Sequence, residues 1–153
     1  GTQSAGNLFK RNESSFKALE LGLKEAISKY YDLYKNEDCE FIKSFPKQIE
    51  FSSSWFVKMQ SGGHLTSHIH EDGWISGAIY LSIPKKTKTQ DEGAIELSTH
   101  GDDYPIINDD FPKKVIKPKE GDVIFFPSSV FHRTIPFESD EERICIAFDL
   151  KPS

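Results

Sequence analysis

Three histidines are the residues whose type and spacing most directly suggest chemistry. His68 and His70 stand two positions apart, and His132 follows about sixty residues later. Residues i and i+2 of a β-strand point to the same side, so the first two side chains can face one point. His132 from a facing strand can complete the set, and because imidazole is a common metal ligand, the pattern predicts a metal site.

A carboxylate continues the same spacing. Asp72 makes a His-x-Asp pair with His70 that overlaps the His-x-His pair of His68 and His70, and either pair can combine with His132. Two histidines and one carboxylate form the donor set of non-haem Fe(II) oxygenases, whereas three histidines suit iron, zinc or copper sites of the cupin type. The spacing leaves both donor sets open.

Arg143 is the next candidate, because it opens an apolar segment eleven positions after His132. A guanidinium in such a segment needs an anion, and its planar fork matches the two oxygens of a carboxylate. The acidic neighbours Asp140, Glu141 and Glu142 are one possible source of that anion. The alternative is a dicarboxylic cosubstrate whose other end reaches the metal.

One helix is predicted ahead of these residues, from Ser14 to Lys35. Apolar residues recur there at steps of three and four, which is the spacing of one helical face: Phe16, Leu19, Leu23, Ile27, Tyr30 and Tyr34. Ser14 or Ser15 is expected to cap its start.

After Pro46 the pattern changes to short runs rich in Val, Ile, Phe and Tyr between turn residues, which predicts many short strands. The predicted strands are 48–51, 55–60, 74–83, 93–98, 114–117, 122–126, 131–135 and 143–150. That number is typical of a jelly roll or barrel. Two polar segments, 85–92 and 100–112, are interpreted as excursions between strands that would recognise a substrate.

Composition narrows the class of protein. The chain has 153 residues and a net charge of −5, which indicates one domain and argues against a nucleic-acid-binding surface. No apolar run approaches the roughly 20 residues of a membrane helix. Cys39 and Cys145 form no CxxC pair, so we expect a reducing, cytoplasmic environment.

Several sequence motifs together resemble a known family. The stretch from Trp55 to Lys151 is similar to the 2-oxoglutarate- and Fe(II)-dependent oxygenases of the double-stranded β-helix fold, particularly those fused to tetratricopeptide repeats. The motifs that carry the resemblance are Gly62-Gly63-His64, Ser67-His68-Ile69-His70, residues 73–81 (GWISGAIYL), residues 127–139 with the core Phe131-His132-Arg133-Thr134-Ile135-Pro136-Phe137, and residues 142–149 (ERICIAFD).

The resemblance implies a role for each matching residue. His132 matches the distal metal ligand, and Arg143 matches the arginine that binds the far carboxylate of 2-oxoglutarate. Tyr80 occupies a strand position from which related oxygenases often donate a hydrogen bond to that carboxylate.

For the first two ligands the resemblance implies two possibilities. The superfamily at large uses His-x-Asp or His-x-Glu, which here is His70 with Asp72. The closer relatives match this chain in His68 and His70. We therefore favour His68, His70 and His132 as the metal ligands, with Asp72 as the alternative.

The resemblance implies an all-β double-stranded β-helix, with an N-terminal helical segment at 1–46 packed against an oxygenase domain at 47–153. The implied function is an Fe(II)-, O₂- and 2-oxoglutarate-dependent dioxygenase that hydroxylates an unidentified substrate. Two alternatives differ in class: a cupin-like metalloprotein that does not use 2-oxoglutarate, and an interaction domain that has lost catalysis.

Overall fold

A computed structural model describes residues 1–108 and 110–153, so that residue 109 of the predicted excursion 100–112 lies outside the described residues. Two α-helices, α1 (Ser14–Tyr34) and α2 (Glu40–Lys43), and a 3₁₀ turn (Leu8–Lys10) precede most of the strands. The strands are β1 (Thr2–Gln3), β2 (Ile49–Met59), β3 (Leu65–His68), β4 (Ile75–Ser82), β5 (Ile95–Ser98), β6 (Lys113–Ile116), β7 (Val123–Pro127), β8 (Phe131–Thr134) and β9 (Arg143–Pro152).

The strands form two sheets. The larger sheet has the order β1-β2-β9-β4-β7, and the smaller has the order β3-β8-β5-β6. All of the strand pairs are antiparallel. The non-consecutive neighbours show that the chain crosses repeatedly between the sheets, which is the jelly-roll arrangement expected from the strand count.

Helix α1 covers the outer face of the larger sheet. Its buried residues Leu23 and Ile27 pack in one cluster with Ile75, Ile146 and Phe148. Side chains alternate along a strand, so the residues of β9 between these face the opposite sheet. The apolar stripe read from the sequence therefore supports the sheet from outside and leaves its inner face for the pocket.

The start of α1 differs from the prediction. The capping residue is Glu13, and its side chain makes no capping hydrogen bond. The Glu13 carboxylate instead accepts hydrogen bonds from Arg11. Ser14 and Ser15 consequently lie inside the helix, and the backbone N–H groups of Phe16 and Lys17 donate to the Glu13 carbonyl oxygen.

The strand predictions were wrong in three places, the first of which is the two-residue β1, which was not predicted. The predicted strands 48–51 and 55–60 are one continuous strand, β2, with a register irregularity between Phe51 and Ser53. The serines between them resemble a turn in sequence, but their hydroxyls all find acceptors: Ser52 on the Asp149 carbonyl, Ser53 on the Asp149 carboxylate and Ser54 on Asn7. Strand β3 was missed as a separate element because its four residues include only one apolar side chain.

The helices also bear on membrane insertion. Helix α1 is the longest, with 21 residues, and its exposed positions include Glu25, Lys29 and Asp32. Within residues 1–108 and 110–153, the structure contains no helix with the length and apolar character to cross a membrane.

Candidate metal centre

His68 and His132 lie on two strands of the smaller sheet, and His70 lies in the turn that follows β3. Strand β3 ends at His68, which pairs directly with His132 of β8. His70 lies beyond the end of β3. The alternation of side chains along one strand, which was the predicted reason for His68 and His70 to face the same point, therefore does not apply. The backbone N–H of His70 donates instead to the Ser128 carbonyl, at 3.2 Å, and this bond holds the turn against the neighbouring loop.

The structure brings the three imidazoles together. One potential ligand atom from each of His68, His70 and His132 lies within 4.8 Å of the others. Their ring centroids are 4.3 Å apart for His68 and His132, 5.0 Å for His70 and His132, and 5.2 Å for His68 and His70. This convergence is what a metal ion bound on one face would require.

Hydrogen bonds define which nitrogen of each ring is free. Each Nδ1 lies against an oxygen that can only accept: the Thr66 carbonyl at 2.7 Å from His68, the Val130 carbonyl at 3.3 Å from His132, and the Asp149 carboxylate at 2.6 Å from His70. Each Nδ1 therefore carries the proton, and in the neutral ring Nε2 keeps its lone pair for a metal. This donor set fits a divalent transition metal such as Fe(II).

The electrostatic environment keeps His132 neutral. Its burial, with smaller effects of His68 and His70, lowers the pKa of His132 to about 4. At neutral pH the ring can bind a metal without first losing a proton.

This shift predicts a pH dependence for the metal-free protein. The unfolded chain protonates His132 near pH 6.5 and the folded protein only near pH 4, so the unfolded state binds more protons between these values. The unfolding free energy should fall as the pH drops through this window, by roughly 3 kcal/mol in total. Urea unfolding of the parent and of His132→Gln at pH 7.0 to 4.5 tests this. Equal pH slopes for both proteins would contradict it.

Asp72 occupies a different place from the histidines. It lies exposed in the turn after His70, and the converging ligand atoms come from the histidines without it. The geometry thus brings together the three-histidine set, while the His-x-Asp alternative would need this turn to rearrange.

Arg143 begins β9 and is only 3% exposed. Its Nε donates to the Gly93 carbonyl at 3.0 Å, and its Nη1 lies 3.8 Å from Cys145 Sγ. The guanidinium carbon also lies 5.0 Å from the centre of the Tyr80 ring. None of these contacts supplies a negative charge.

Two of the three acidic neighbours of Arg143 are engaged elsewhere, and the third, Asp140, is exposed. The Glu141 carboxylate accepts from the backbone N–H groups of Lys85 and Lys86, and Glu142 forms a 2.7 Å ion pair with Lys58. Within the part of the chain that the structure describes, Arg143 has no carboxylate partner. A buried guanidinium in this state is suited to an anionic ligand.

Tyr80 of β4 is 1% exposed and faces the same space. Burial raises the pKa of Tyr80 to about 12, although the charge of Arg143 acts in the opposite direction. The phenol therefore stays protonated at neutral pH and remains a hydrogen-bond donor.

One pocket between the two sheets connects all of these groups. It is lined by the three histidines together with Tyr80 and Arg143, and its other walls are mostly apolar. Trp55 forms part of the wall, with its ring centroid 5.6 Å from that of His70. The pocket thus brings together three potential metal ligands and one cation that has no carboxylate partner among the described residues.

Asp149 is the residue of this site that the sequence did not identify as functional. Burial alone would raise the pKa of Asp149, but hydrogen bonds from His70 and Ser76 outweigh that effect and lower it. The carboxylate is therefore ionised next to His70. Its signal in the sequence was its spacing, because Arg143 and Asp149 lie an even number of positions apart on one strand and so share a face.

Comparison with protein families and solved structures gives a consistent result. Residues 53–149 match the family model described as "Putative 2OG-Fe(II) oxygenase". No curated protein matches the chain in sequence.

Among solved structures, a Pseudomonas putida prolyl-4-hydroxylase has 14% identity and a TM-score of 0.59, and the similarity covers 99% of this chain and 71% of that one. A viral collagen prolyl hydroxylase from Paramecium Bursaria Chlorella virus-1, in complex with 2OG, has 17% identity and a TM-score of 0.62 over 99% and 78% of the two chains. HygX from Streptomyces hygroscopicus, with nickel and 2-oxoglutarate bound, has 12% identity and a TM-score of 0.57 over 92% and 68%. These similarities confirm the double-stranded β-helix fold.

Proposed function

The chain belongs to the 2OG-Fe(II) oxygenase family, and from that premise we propose that His68, His70 and His132 hold Fe(II) while Arg143 binds 2-oxoglutarate. Members of this family are 2-oxoglutarate/Fe(II)-dependent oxygenases, so the chain is an enzyme of that class. The reaction that we propose is hydroxylation of a C–H bond of the primary substrate.

The observation that carries the proposal is that one pocket contains both a buried cation and a cluster of potential metal ligands. Arg143 is a buried cation without a carboxylate partner among the described residues, and it shares the pocket with three converging imidazoles. A dicarboxylic 2-oxo acid satisfies both groups, because one end chelates a metal and the other end carries a free carboxylate. A metalloprotein that does not use such an acid would have no need of Arg143.

The residues of the chain have separate tasks in this mechanism. Arg143 forms an ion pair with the far carboxylate of 2-oxoglutarate, and the protonated Tyr80 hydroxyl donates a hydrogen bond to the same group. The apolar pocket walls keep water away from the bound acid. When bound, Fe(II) supplies the activation of O₂, which couples decarboxylation of 2-oxoglutarate to succinate and CO₂ with oxidation of the substrate.

The two free thiols are relevant to the cellular compartment of the protein. Cys39 is exposed and Cys145 is buried, and both are unpaired. Because oxidising compartments favour disulfides, these thiols support our inference that the protein works in the cytoplasm. The net charge of −5 argues against a nucleic-acid partner.

An anaerobic titration tests the proposed function. Metal-free protein receives Fe(II) and then 2-oxoglutarate, and we expect a visible charge-transfer band to appear with the second addition. Glutarate is the matched control, because it has the same chain length and far carboxylate as 2-oxoglutarate but lacks the 2-oxo group of the chelate.

Two outcomes would contradict the proposal in different ways. Binding of Fe(II) without any band or affinity for 2-oxoglutarate would favour the cupin-like metalloprotein. Failure of the protein to bind Fe(II) would favour the interaction domain.

A further inference from the structure

We propose that Asp149 is the positioning residue of the metal site, which holds His70 in its ligand orientation and supplies the negative charge that three imidazoles lack. This inference rests on the proposed function, because it takes His70 to be a metal ligand. It concerns a residue outside the converging set of ligand atoms.

The contacts of Asp149 hold its carboxylate in one place. The side chain is buried, with the residue 9% exposed. One oxygen, Oδ1, accepts from His70 Nδ1 and from the Ser76 hydroxyl, both at 2.6 Å. The other, Oδ2, accepts from the Ser53 hydroxyl at 2.8 Å. The donors come from β2, from β4 and from the turn after β3, so the carboxylate ties His70 to the larger sheet.

Nothing else among the described residues neutralises this carboxylate. Its one titratable partner is His70, which carries no charge when Nε2 is free for a metal, and no Lys or Arg among the described residues lies within salt-bridge distance. A buried carboxylate destabilises the folded state unless hydrogen bonds or an opposite charge compensate for its lost hydration. Two serine hydroxyls and one imidazole N–H donate hydrogen bonds to the two carboxylate oxygens. A metal cation at the histidine site would supply the opposite charge that these donors lack.

The charge of the donor set explains what the Asp149 carboxylate contributes to the metal site. Three neutral imidazoles leave a divalent metal with its full charge of +2, whereas the common two-histidine and one-carboxylate set reduces it by one. Asp149 places the same negative charge one hydrogen bond behind His70. A carboxylate in that position also makes the imidazole a stronger ligand, and loss of such a partner typically weakens metal binding by about 10- to 100-fold.

The substitution Asp149→Asn separates charge from packing. The Asn side-chain oxygen can still accept from His70 and Ser76, and its NH₂ group can donate to Ser53, whose hydroxyl also accepts. The shape and hydrogen bonds are thus kept, and the negative charge is removed. The matched control is Asp102→Asn, which removes an exposed negative charge from the loop that contacts β3 through the Ser67 N–H.

The test measures Fe(II) affinity anaerobically, without 2-oxoglutarate, alongside urea unfolding of the metal-free proteins. We expect Asp149→Asn to bind Fe(II) about 10- to 100-fold more weakly when the affinity is corrected for any change in metal-free stability. Asp102→Asn should stay within about twofold of the parent in affinity. A purely structural role for Asp149 would lower stability and leave the affinity of the folded fraction unchanged, which would overturn the proposal.

A second measurement needs no variant. Nitrogen-15 NMR of the metal-free parent should show His70 as the Nδ1–H tautomer, and the Nε2–H tautomer would overturn the proposal even if Asp149→Asn failed to fold. Equal Fe(II) affinity of parent and Asp149→Asn would refute the role of Asp149 and leave the proposed function standing. A parent that binds no Fe(II) would overturn both.

Discussion

The substitution Arg143→Ala is expected to weaken 2-oxoglutarate binding by about 30-fold or more, while Fe(II) binding stays within a few-fold of the parent. Removal of one partner from a buried, hydrogen-bonded charge pair costs about 2–5 kcal/mol, and every 1.4 kcal/mol corresponds to about tenfold in affinity. The three histidines lie outside β9 and keep their contacts. The measurement is the anaerobic titration with Fe(II) followed by 2-oxoglutarate.

Two further variants define the cause of that loss. Arg143→Lys keeps the charge but loses the planar fork, so its affinity should lie between those of the parent and Arg143→Ala. Arg133→Ala is the matched control, because Arg133 lines the same pocket and already forms a two-point ion pair with Glu96. Its affinity for 2-oxoglutarate should stay within a few-fold.

Thermal unfolding offers an independent readout. Saturating 2-oxoglutarate should raise the melting temperature of the Fe(II)-loaded parent, because a ligand that binds only the folded state stabilises it. The same concentration should raise the melting temperature of Arg143→Ala much less. An equal shift in both proteins would mean that the cosubstrate binds elsewhere.

The substitution His132→Ala is expected to abolish binding of Fe(II) at micromolar concentrations, and with it the charge-transfer band of 2-oxoglutarate. His132 lies at the centre of the group, because its ring is the nearer neighbour of both other imidazoles. Loss of a direct ligand should exceed the roughly 10- to 100-fold effect of losing an outer hydrogen-bond partner. Competition with a chromophoric chelator measures the affinity.

The pair His68→Ala and Asp72→Ala distinguishes the two ligand sets. If three histidines bind the metal, His68→Ala loses Fe(II) in the same way as His132→Ala, and Asp72→Ala binds it normally. The reverse result would establish His70, Asp72 and His132 as the ligands. Circular dichroism of each variant separates loss of a ligand from loss of the fold.

Local features of the sequence were enough to predict much of this molecule. The apolar spacing of α1 predicted the face that carries Leu23 and Ile27, because helical periodicity is a property of neighbouring residues. Most strands were found in the same way. The short β3 and the serine-rich middle of β2 were not, because their place in a sheet depends on partners rather than on their own residues.

For the candidate site, too, some features follow from local sequence and others only from the tertiary structure. The sequence by itself determined which groups can do chemistry, namely His68, His70, His132 and Arg143, since side-chain type sets what a residue can bind. Only the tertiary structure decided that the imidazoles converge and that Glu141 and Glu142 bind groups other than Arg143.

The tertiary structure also showed that Asp149 holds His70. These two residues are 79 positions apart in the chain, and a hydrogen bond between them exists only once β9 lies beside β4 and β2 in one sheet. Such a contact has no local signal in the sequence, because it is created by the pairing of distant strands.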